Sequence, residues 1–499
     1  MAQAECDLCN LLLKKYFGSI VSNVGKFLCK NGRQPLGQII ISTKLKPSLV
    51  KKSLCVLIQH KLVRFFKKKK RIEYIFDMKI GLRLLQIPKI IYTTKLLYGD
   101  PGELIIEEIL VNGISTMEST LETVVKRLQE STEKVNENEV KTIFENLTNA
   151  RFLLVEPNVE DTGDVDAAES RDSDSQFPAG NRKRKYSGSE NDAPQKKRTK
   201  NAFGTCYSIN YARYSQYFRD QSIVAGVTQK FNVACGEIVR TLLRISEVTT
   251  SGDAEVTQPI SSNEIKHALP SNMNLSVEYI EQYLNIMKND EGNFVQKSDE
   301  TSSGTYAVNI KKCITAICHA NVLSYVQERF GSKCCRIFKL LMLKNHMEQK
   351  QVEDFAMIPS KEAKELLYQM WAENLLVMQE IPKTADHAPS RTYYLFNVNI
   401  KKVVRTLLSR LNKMLVNLLA RQQFEVKGNK RLLEKRKRID SIKATLQQAE
   451  EDQLEEIEEM LTPAERDHLQ KLEHCCNKLG KSQIQAENTA FLYNSFLGS

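Results

Sequence analysis

No stretch of this 499-residue chain runs apolar for the 18 or more residues that a membrane-spanning helix needs, so no membrane role is expected. It also lacks a glycine-rich phosphate loop ending in Lys and Ser or Thr, the signature of many nucleotide-hydrolysing sites. Histidine is scarce: seven are scattered along the chain, and neither H-E-x-x-H nor G-x-S-x-G occurs. Asp386-His387 is the nearest approach to a dyad, and it falls in an expected loop, where a solvated pair is the simpler reading. With no acid–base or nucleophile arrangement visible, neither an intrinsic enzyme activity nor a cofactor is expected.

Cysteine is better supplied, at twelve. The region of Glu5 and Asp7 has neither the basic start nor the apolar run of a secretory signal, so an oxidising compartment and its disulfides are not expected. Cys6 and Cys9 form a C-x-x-C, but no second pair stands at zinc-site spacing, and a closed structural site needs four ligands. On an amphipathic helix the two point into a core, and no metal is expected. Cys334-Cys335 and Cys475-Cys476 are adjacent on expected helices and read as packing.

Seventy-two basic residues against 60 acidic ones leave a formal charge of +12, which favours polyanionic partners. The apolar fraction of 41% suits folded domains, and the length suits several of them at roughly 100–200 residues each.

A pattern returns four times: amphipathic helices, then two short β-type runs around a polar tip. Residues 35–42 and 47–60 read as two helices, the second with Val50, Leu54, Leu57 and Ile58 on one face. Residues 61–66 and 71–76 then alternate as a hairpin around Lys67-Lys68-Lys69-Lys70. Helix, helix, hairpin is the order of a winged helix, which presents its second helix and its wing to DNA or protein. The expected architecture is mainly α with small β-wings: four tandem winged helices and a C-terminal antiparallel coiled coil. The expected bounds are 1–78, 79–157, 205–310 and 311–399 for the winged helices and 400–499 for the coiled coil. In the second unit, Phe152 to Val155 start a wing that Pro157 cuts short. Ser262 and Ser276 are N-cap candidates in the third.

Between 158 and 204 apolar periodicity vanishes, and the composition is that of a disordered acidic-then-basic linker. Its clusters, Arg182, Lys183, Arg184 and Lys185, then Lys196, Lys197, Arg198 and Lys200, have bipartite nuclear-import spacing, which points to the nucleus. A solvated loop or a second nucleic-acid anchor are the other readings. Beyond residue 400, Val404, Leu408, Leu411, Leu415 and Leu418 are spaced 4-3-4-3. Thr462-Pro463-Ala464-Glu465 has the Thr, Pro and Glu of a strong helix start, so 424–480 is expected to form a helical hairpin.

Lys67, Lys68, Lys69, Lys70 and Arg71 are the candidate DNA-binding residues, five consecutive cations on one wing that suit a phosphate backbone. The alternative is a solvated tip. The basic stretches Lys401-Lys402, Arg405, Arg410, Lys430-Arg431 and Lys435 to Arg438 read first as solvated helix faces. No set of base-reading side chains stands out.

Several blocks carry a family resemblance: Y-T-T-K at 92–95, G-E-L-I-I-E-E at 102–108, E-I-V-R-T-L-L-R at 237–244, Q-V-E-D-F-A-M-I-P at 351–359, E-I-P-K-T-A-D-H-A-P-S-R-T-Y-Y at 380–394 and K-R-L-L-E-K at 430–435. In this order they resemble the third-largest subunit of RNA polymerase III, over nearly the whole chain except the linker. The resemblance implies four winged helices and a C-terminal coiled coil related to the large subunit of TFIIE, without the active site. It implies partners as well: a heterotrimeric initiation subcomplex on the clamp of the largest subunit, other polymerase subunits, the initiation factor, and single- or double-stranded promoter DNA. The function implied is recruitment to promoters and help with DNA opening for 5S rRNA and tRNA synthesis, and the family has been linked to sensing foreign DNA in the cytosol. The alternative is a winged-helix scaffold in another assembly that touches only protein.

Overall fold

The structure is a computed structural model that describes residues 2–68, 71–131, 137–156, 205–247, 249–252, 254–270, 273, 275–298, 304–383, 391–445 and 461–498. It opens with α1 (Ala2–Asn31), β1 (Gln34–Pro35), α2 (Leu36–Thr43), α3 (Pro47–Gln59), β2 (Val63–Lys68) and β3 (Arg71–Phe76). A second set follows: α4 (Met78–Arg83), a 3₁₀ turn (Leu84–Gln86), α5 (Ile87–Asn112), β4 (Ser115–Thr116), α6 (Met117–Ser131), α7 (Glu137–Asn149), β5 (Leu153–Glu156) and β6 (Cys206–Ile209). The third comprises α8 (Tyr211–Lys230), α9 (Val233–Ser246), β7 (Ile260–Ser261), α10 (Ser262–Ala268), α11 (Val277–Asn289), β8 (Val295–Lys297) and β9 (Thr305–Val308). The fourth comprises α12 (Ile310–Phe330), α13 (Ser332–Lys344), β10 (Met347–Glu348), α14 (Gln349–Ala356), α15 (Ser360–Ala372), β11 (Val377–Pro382) and β12 (Thr392–Asn397). The chain ends in α16 (Ile400–Gly428), α17 (Lys430–Thr445) and α18 (Pro463–Gly498).

Each set builds a three-stranded antiparallel sheet of one topology, with orders β1-β3-β2, β4-β6-β5, β7-β9-β8 and β10-β12-β11. The fold is mainly α with winged-helix modules, and the shared topology has local causes. After the second helix of each module the chain turns through one left-handed residue: Lys61 (φ 59), Arg151 (φ 61), Asn293 (φ 44) and Asn374 (φ 58). A non-glycine residue there costs about 1–2 kcal/mol. The next side chain offsets that cost by burial, because Leu62, Phe152, Phe294 and Leu375 are all inside. The same turn closes helix carbonyls: Leu62 N–H donates to Leu57 O (2.9 Å), Phe152 to Leu147 (3.0 Å) and Leu375 to Met370 (3.0 Å).

The exit from each wing is equally regular. Asp77, Asn210, Asn309 and Asn399 follow the last strands and cap the next helices. Their side chains accept from the amides of Lys79 (3.0 Å), Arg213 (3.3 Å), Lys312 (3.1 Å) and Lys402 (3.1 Å). Short carboxylate or amide side chains suit that role because they reach the free amides of a first helical turn. V-N-I-K-K occurs at both 308–312 and 398–402, a direct trace of this repeated device.

The chain divides into two compact units. One holds Gly32–Tyr283 and Lys297–Val308. In it the first two modules interlock: Gln59 Nε2 donates to Asn112 O at 2.6 Å. Gly113 sits against the same corner, where a Cβ would lie 2.9 Å from Gln59 O, so only glycine permits this approach. Lys61 Nζ pairs with Glu156 and donates to Ser208 Oγ at 3.1 Å. The third module's leading helix is fixed to the second by Thr94 Oγ1 and Tyr214 OH at 2.8 Å and by Arg213 over the Phe152 ring at 4.8 Å.

The other unit holds Met1–Asn31, Leu284–Gln296 and Asn309–Ser499. Here α1 packs on α16, and α18 packs on α16, α17 and α12. Two ion pairs tie α17 to α18: Lys435 meets Glu465 (2.7 Å) and Arg436 meets Glu473 (3.3 Å). Thr462 and Glu465 form the expected reciprocal cap, with Thr462 N–H to Glu465 Oε2 at 3.0 Å and Glu465 N–H to Thr462 Oγ1 at 3.3 Å. These contacts fasten the two helices together and do not define a coiled coil.

Several expectations change. The second wing is not cut short at Pro157: β5 pairs with β6 from Leu153↔Ile209 to Glu156↔Cys206. The boundary expected at 205 therefore falls inside a sheet, because strand pairing is indifferent to the length of chain between the partners. α1, expected with the first winged helix, also packs on α16. Ser261 rather than Ser262 caps α10, and Ser262 Oγ donates to Glu281 Oε1 at 2.9 Å. The first strand of each module escapes detection because two residues carry no periodicity.

Candidate nucleic-acid interface

The four winged helices share a backbone plan and differ in charge. Residues 32–76 contain twelve Lys and Arg against a single acid, Glu73. The second module (115–156 and 206–209) has five bases and eight acids, the third (260–308) three and seven, and the fourth (347–397) five and eight. The helices that lead the fourth module (310–346) add seven bases against one acid, so the first module is the most basic of the four and not the sole basic region.

Within that module α3 begins with Pro47 at its first turn, where a missing N–H costs nothing, and buries Val50, Ser53, Leu54 and Leu57. The opposite side exposes Lys51 and Lys52. Strands β2 and β3 pair from Val63↔Phe76 out to Lys68↔Arg71, so Lys67 and Lys68 are strand residues and the tip is shorter than expected. Lys67 and Arg71 are exposed. Lys69 and Lys70 lie outside the described residues, as do all eight basic residues of the linker clusters and Asp386-His387.

Some cations of the module are already engaged. Arg64 pairs with Asp77 at 2.6 Å, Lys61 with Glu156, and Arg33 lies over the Phe66 ring at 4.7 Å. Lys44, Lys46, Lys51, Lys52, Lys67 and Arg71 are exposed and have no such partner among the described residues, which makes them the cations available to a ligand. Sequence reading found only the tip. A charge count taken module by module would also have found Lys51 and Lys52.

The other basic stretches resolve differently. Lys435 and Arg436 tie the C-terminal hairpin, and Lys430 pairs with Glu434 at 3.6 Å. Arg410 reaches Tyr325 OH at 2.8 Å and Glu373 O at 3.1 Å, and pairs with the Glu373 carboxylate. That guanidinium holds the Glu373 carboxyl below its ordinary range, with Arg329 assisting. The network borders a cavity of about 570 Å³ that Leu407, Leu411, Met414 and Tyr493 also line. Its acid and base satisfy each other, so the arrangement fastens helices and leaves no group poised to react.

The buried cysteines are packing residues, whereas Cys55 is exposed. Cys6 and Cys9 are buried, and Cys6 Sγ lies 3.6 Å from Cys29 O. Burial pushes the Cys9 thiol up to about 12, and Cys313 and Cys318 likewise to about 12, far from the thiolate a metal or electrophile needs. Among the described residues no group of three or more His, Cys, Asp or Glu is placed to hold a metal ion, and no helix is long and apolar enough to cross a membrane.

Known proteins with similar sequences span the whole chain. Residues 7–68 match the family model "RNA polymerase III subunit RPC82 helix-turn-helix domain" and 118–317 the model "RNA polymerase III subunit RPC82". Residues 322–398 match "POLR3C, C-terminal winged-helix domain" and 431–492 match "DNA-directed RNA polymerase III subunit RPC3, helical hairpin domain". The mouse protein named DNA-directed RNA polymerase III subunit RPC3 is 44% identical over 528 residues, covering 100% of this chain and 99% of its own length. Its human counterpart is 44% identical over 527 residues with the same coverage. A Dictyostelium discoideum protein of that name is 31% identical over 255 residues, 49% of this chain and 38% of its own.

Proposed function

The chain belongs to the RNA polymerase III subunit RPC3 family, and on that premise we propose that it serves RNA polymerase III as a non-catalytic peripheral subunit of the nucleus. In this reading it joins an initiation subcomplex on the clamp, helps recruit the polymerase through its initiation factor, and assists promoter opening. The work is done by position: cationic surface holds DNA near the site of opening while other surfaces grip protein.

The observation that supports the DNA contact is the concentration of charge in the first module, with Lys51, Lys52, Lys67 and Arg71 exposed on its second helix and wing. A surface of that kind gains affinity mainly by releasing counterions from phosphates. The acidic second and third winged helices favour protein docking, since a net negative face repels a nucleic-acid backbone. The test is affinity purification of the tagged full chain from nuclear extract. Recovery of the large polymerase III subunits is the expected result, and a chain recovered alone or with a different assembly would sink the assignment. A purified chain with no affinity for any DNA at modest salt would instead favour the protein-only scaffold.

A further inference from the structure

A further basic surface lies on α16. No Asp or Glu occurs between Asp386 and Glu425, while residues 400–424 carry Lys401, Lys402, Arg405, Arg410, Lys413 and Arg421. Two of these are engaged, Arg410 with Glu373 and Arg421 with Glu425. Lys401, Lys402, Arg405 and Lys413 are exposed and have no ion-pair or ring partner among the described residues. The helix turns Val404, Leu408, Leu415 and Leu419 inward, and α1 and α18 pack on it. At about 100° per residue, Lys402, Arg405, Ser409 and Lys413 fall on one side within about 80°, with Lys401 at its edge. From Lys401 to Lys413 is about 18 Å at ~1.5 Å per residue. Over the next ~17 Å the same side continues as Val416, Ala420 and Phe424. The ring of Phe424 is 66% exposed.

Neighbouring helices use their cations otherwise. On α13, Lys333 pairs with Glu362, Arg336 donates to Ala356 O at 3.0 Å, and Lys344 lies over the Phe355 ring at 3.2 Å. On α17 the bases are interleaved with Glu434 and Asp440, to which Lys430 and Arg436 pair at 3.6 Å and 3.8 Å. The outward side of α16 has no acid of its own to neutralise it. Four like charges held along three turns of a rigid helix repel one another, and an anionic partner removes that cost.

We propose that this side of α16 docks an acidic amphipathic helix of a protein partner, its carboxylates on Lys401, Lys402, Arg405 and Lys413 and its apolar residues on Val416 and Phe424. The inference adds a protein contact to the DNA contact proposed for the first module and does not depend on it. A nucleic acid presents charge at every step of its length, so it matches the first three turns and leaves the apolar half uncovered. A helix can present carboxylates over one half and apolar side chains over the other, at the same three- and four-residue spacing. Both halves of the surface are then satisfied by one partner, in the manner of an amphipathic helix laid on a complementary face.

The test uses the purified full chain and a fluorescent synthetic helix of about 24 residues, long enough to follow the ~35 Å from Lys401 to Phe424. It carries Glu at three- and four-residue spacing in one half and Leu at that spacing in the other. A second version has Gln for every Glu, and single- and double-stranded DNA serve as further probes. The Glu helix should bind and the Gln helix should not. Lys401→Gln, Lys402→Gln, Arg405→Gln and Lys413→Gln together should weaken Glu-helix binding at least about fourfold, at roughly 1.4- to fivefold for each exposed charge pair. Phe424→Ala should weaken it roughly tenfold, as loss of a newly buried aromatic ring does. DNA affinity should stay within about twofold in both variants. Reversing Lys402, Arg405 and Lys413 to Glu should transfer binding to a helix with Lys in place of Glu, a gain that damage to the fold cannot produce. Carbodiimide cross-linking should join the Glu helix to Lys401, Lys402 or Lys413. Equal binding of the Glu and Gln helices, or cross-links confined to the lysines of residues 32–76, would overturn the proposal. Loss of DNA affinity in step with loss of the Glu helix would also overturn it and assign the ridge to nucleic acid.

Discussion

The first and fourth winged helices have the same strand order, the same left-handed turn into the wing and the same Asp or Asn cap at its exit. From first strand to last, residues 32–76 carry twelve cations and one acid, and residues 347–397 five and eight. The difference teaches which positions specify the fold and which specify the partner. Leu57 and Met370 occupy equivalent places before the turn and are both fully buried. The exposed positions of α3 and α15 are unconstrained by packing: Lys52 is matched by Glu365 in the equivalence, while Lys51 and Lys364 are both lysine. A shared core with divergent surfaces lets one chain hold a polyanion at one module and proteins at others.

The comparison breaks most visibly at the core. Leu57→Ala and Met370→Ala should each cost about 2–5 kcal/mol in chemical denaturation, because each removes a fully enclosed side chain and leaves a cavity. Similar losses at the two sites would confirm that the repeats share one packing logic, and a negligible loss at either would deny it. Replacing Lys51, Lys52, Lys67 and Arg71 with Gln should leave stability nearly unchanged while DNA affinity falls. The slope of log affinity against log salt should drop by up to ~3.6, at ~0.9 for each phosphate no longer neutralised. The same number of Lys→Gln changes at Lys350, Lys361, Lys364 and Lys383 should leave both affinity and slope unaltered.

The smallest effect concerns Glu373, whose carboxyl Arg410 holds below its ordinary value of 4.5. A carboxylate depressed in the folded state adds stability above its unfolded pKa, and that stability is lost as pH falls through the folded value. Arg410→Gln should therefore destabilise the chain slightly at pH 7 and less at pH 3, as read from thermal melts. An equal loss at both pH values would show that the guanidinium acts through packing.

Much of the fold was legible. The apolar faces of α3, α7, α9 and α11 and the alternation of the first and fourth wings follow from side-chain period, and Thr462 with Glu465 declared a helix start. Less visible were features whose meaning depends on a distant partner. Ser115-Thr116 is an unremarkable dipeptide until it pairs with Tyr207 and Cys206, on the far side of the linker. The candidate site was half legible: a run of cations announces itself, whereas Lys51 and Lys52 become part of the same surface only when α3 turns its apolar side inward.

By itself, then, the order of residues determined the repeated helix, turn and strand units, since propensity, period and capping act within a few neighbours along the chain. It also determined how much positive charge lies in 32–76, because counting needs no geometry. Tertiary structure alone decided that the second wing closes across residues 157–205, and that α1 packs with α16. It also decided that Phe65 is bare while Phe66 is covered. Hydrogen-bond pairing, packing and solvent exposure join groups far apart in sequence, and no local rule carries that information.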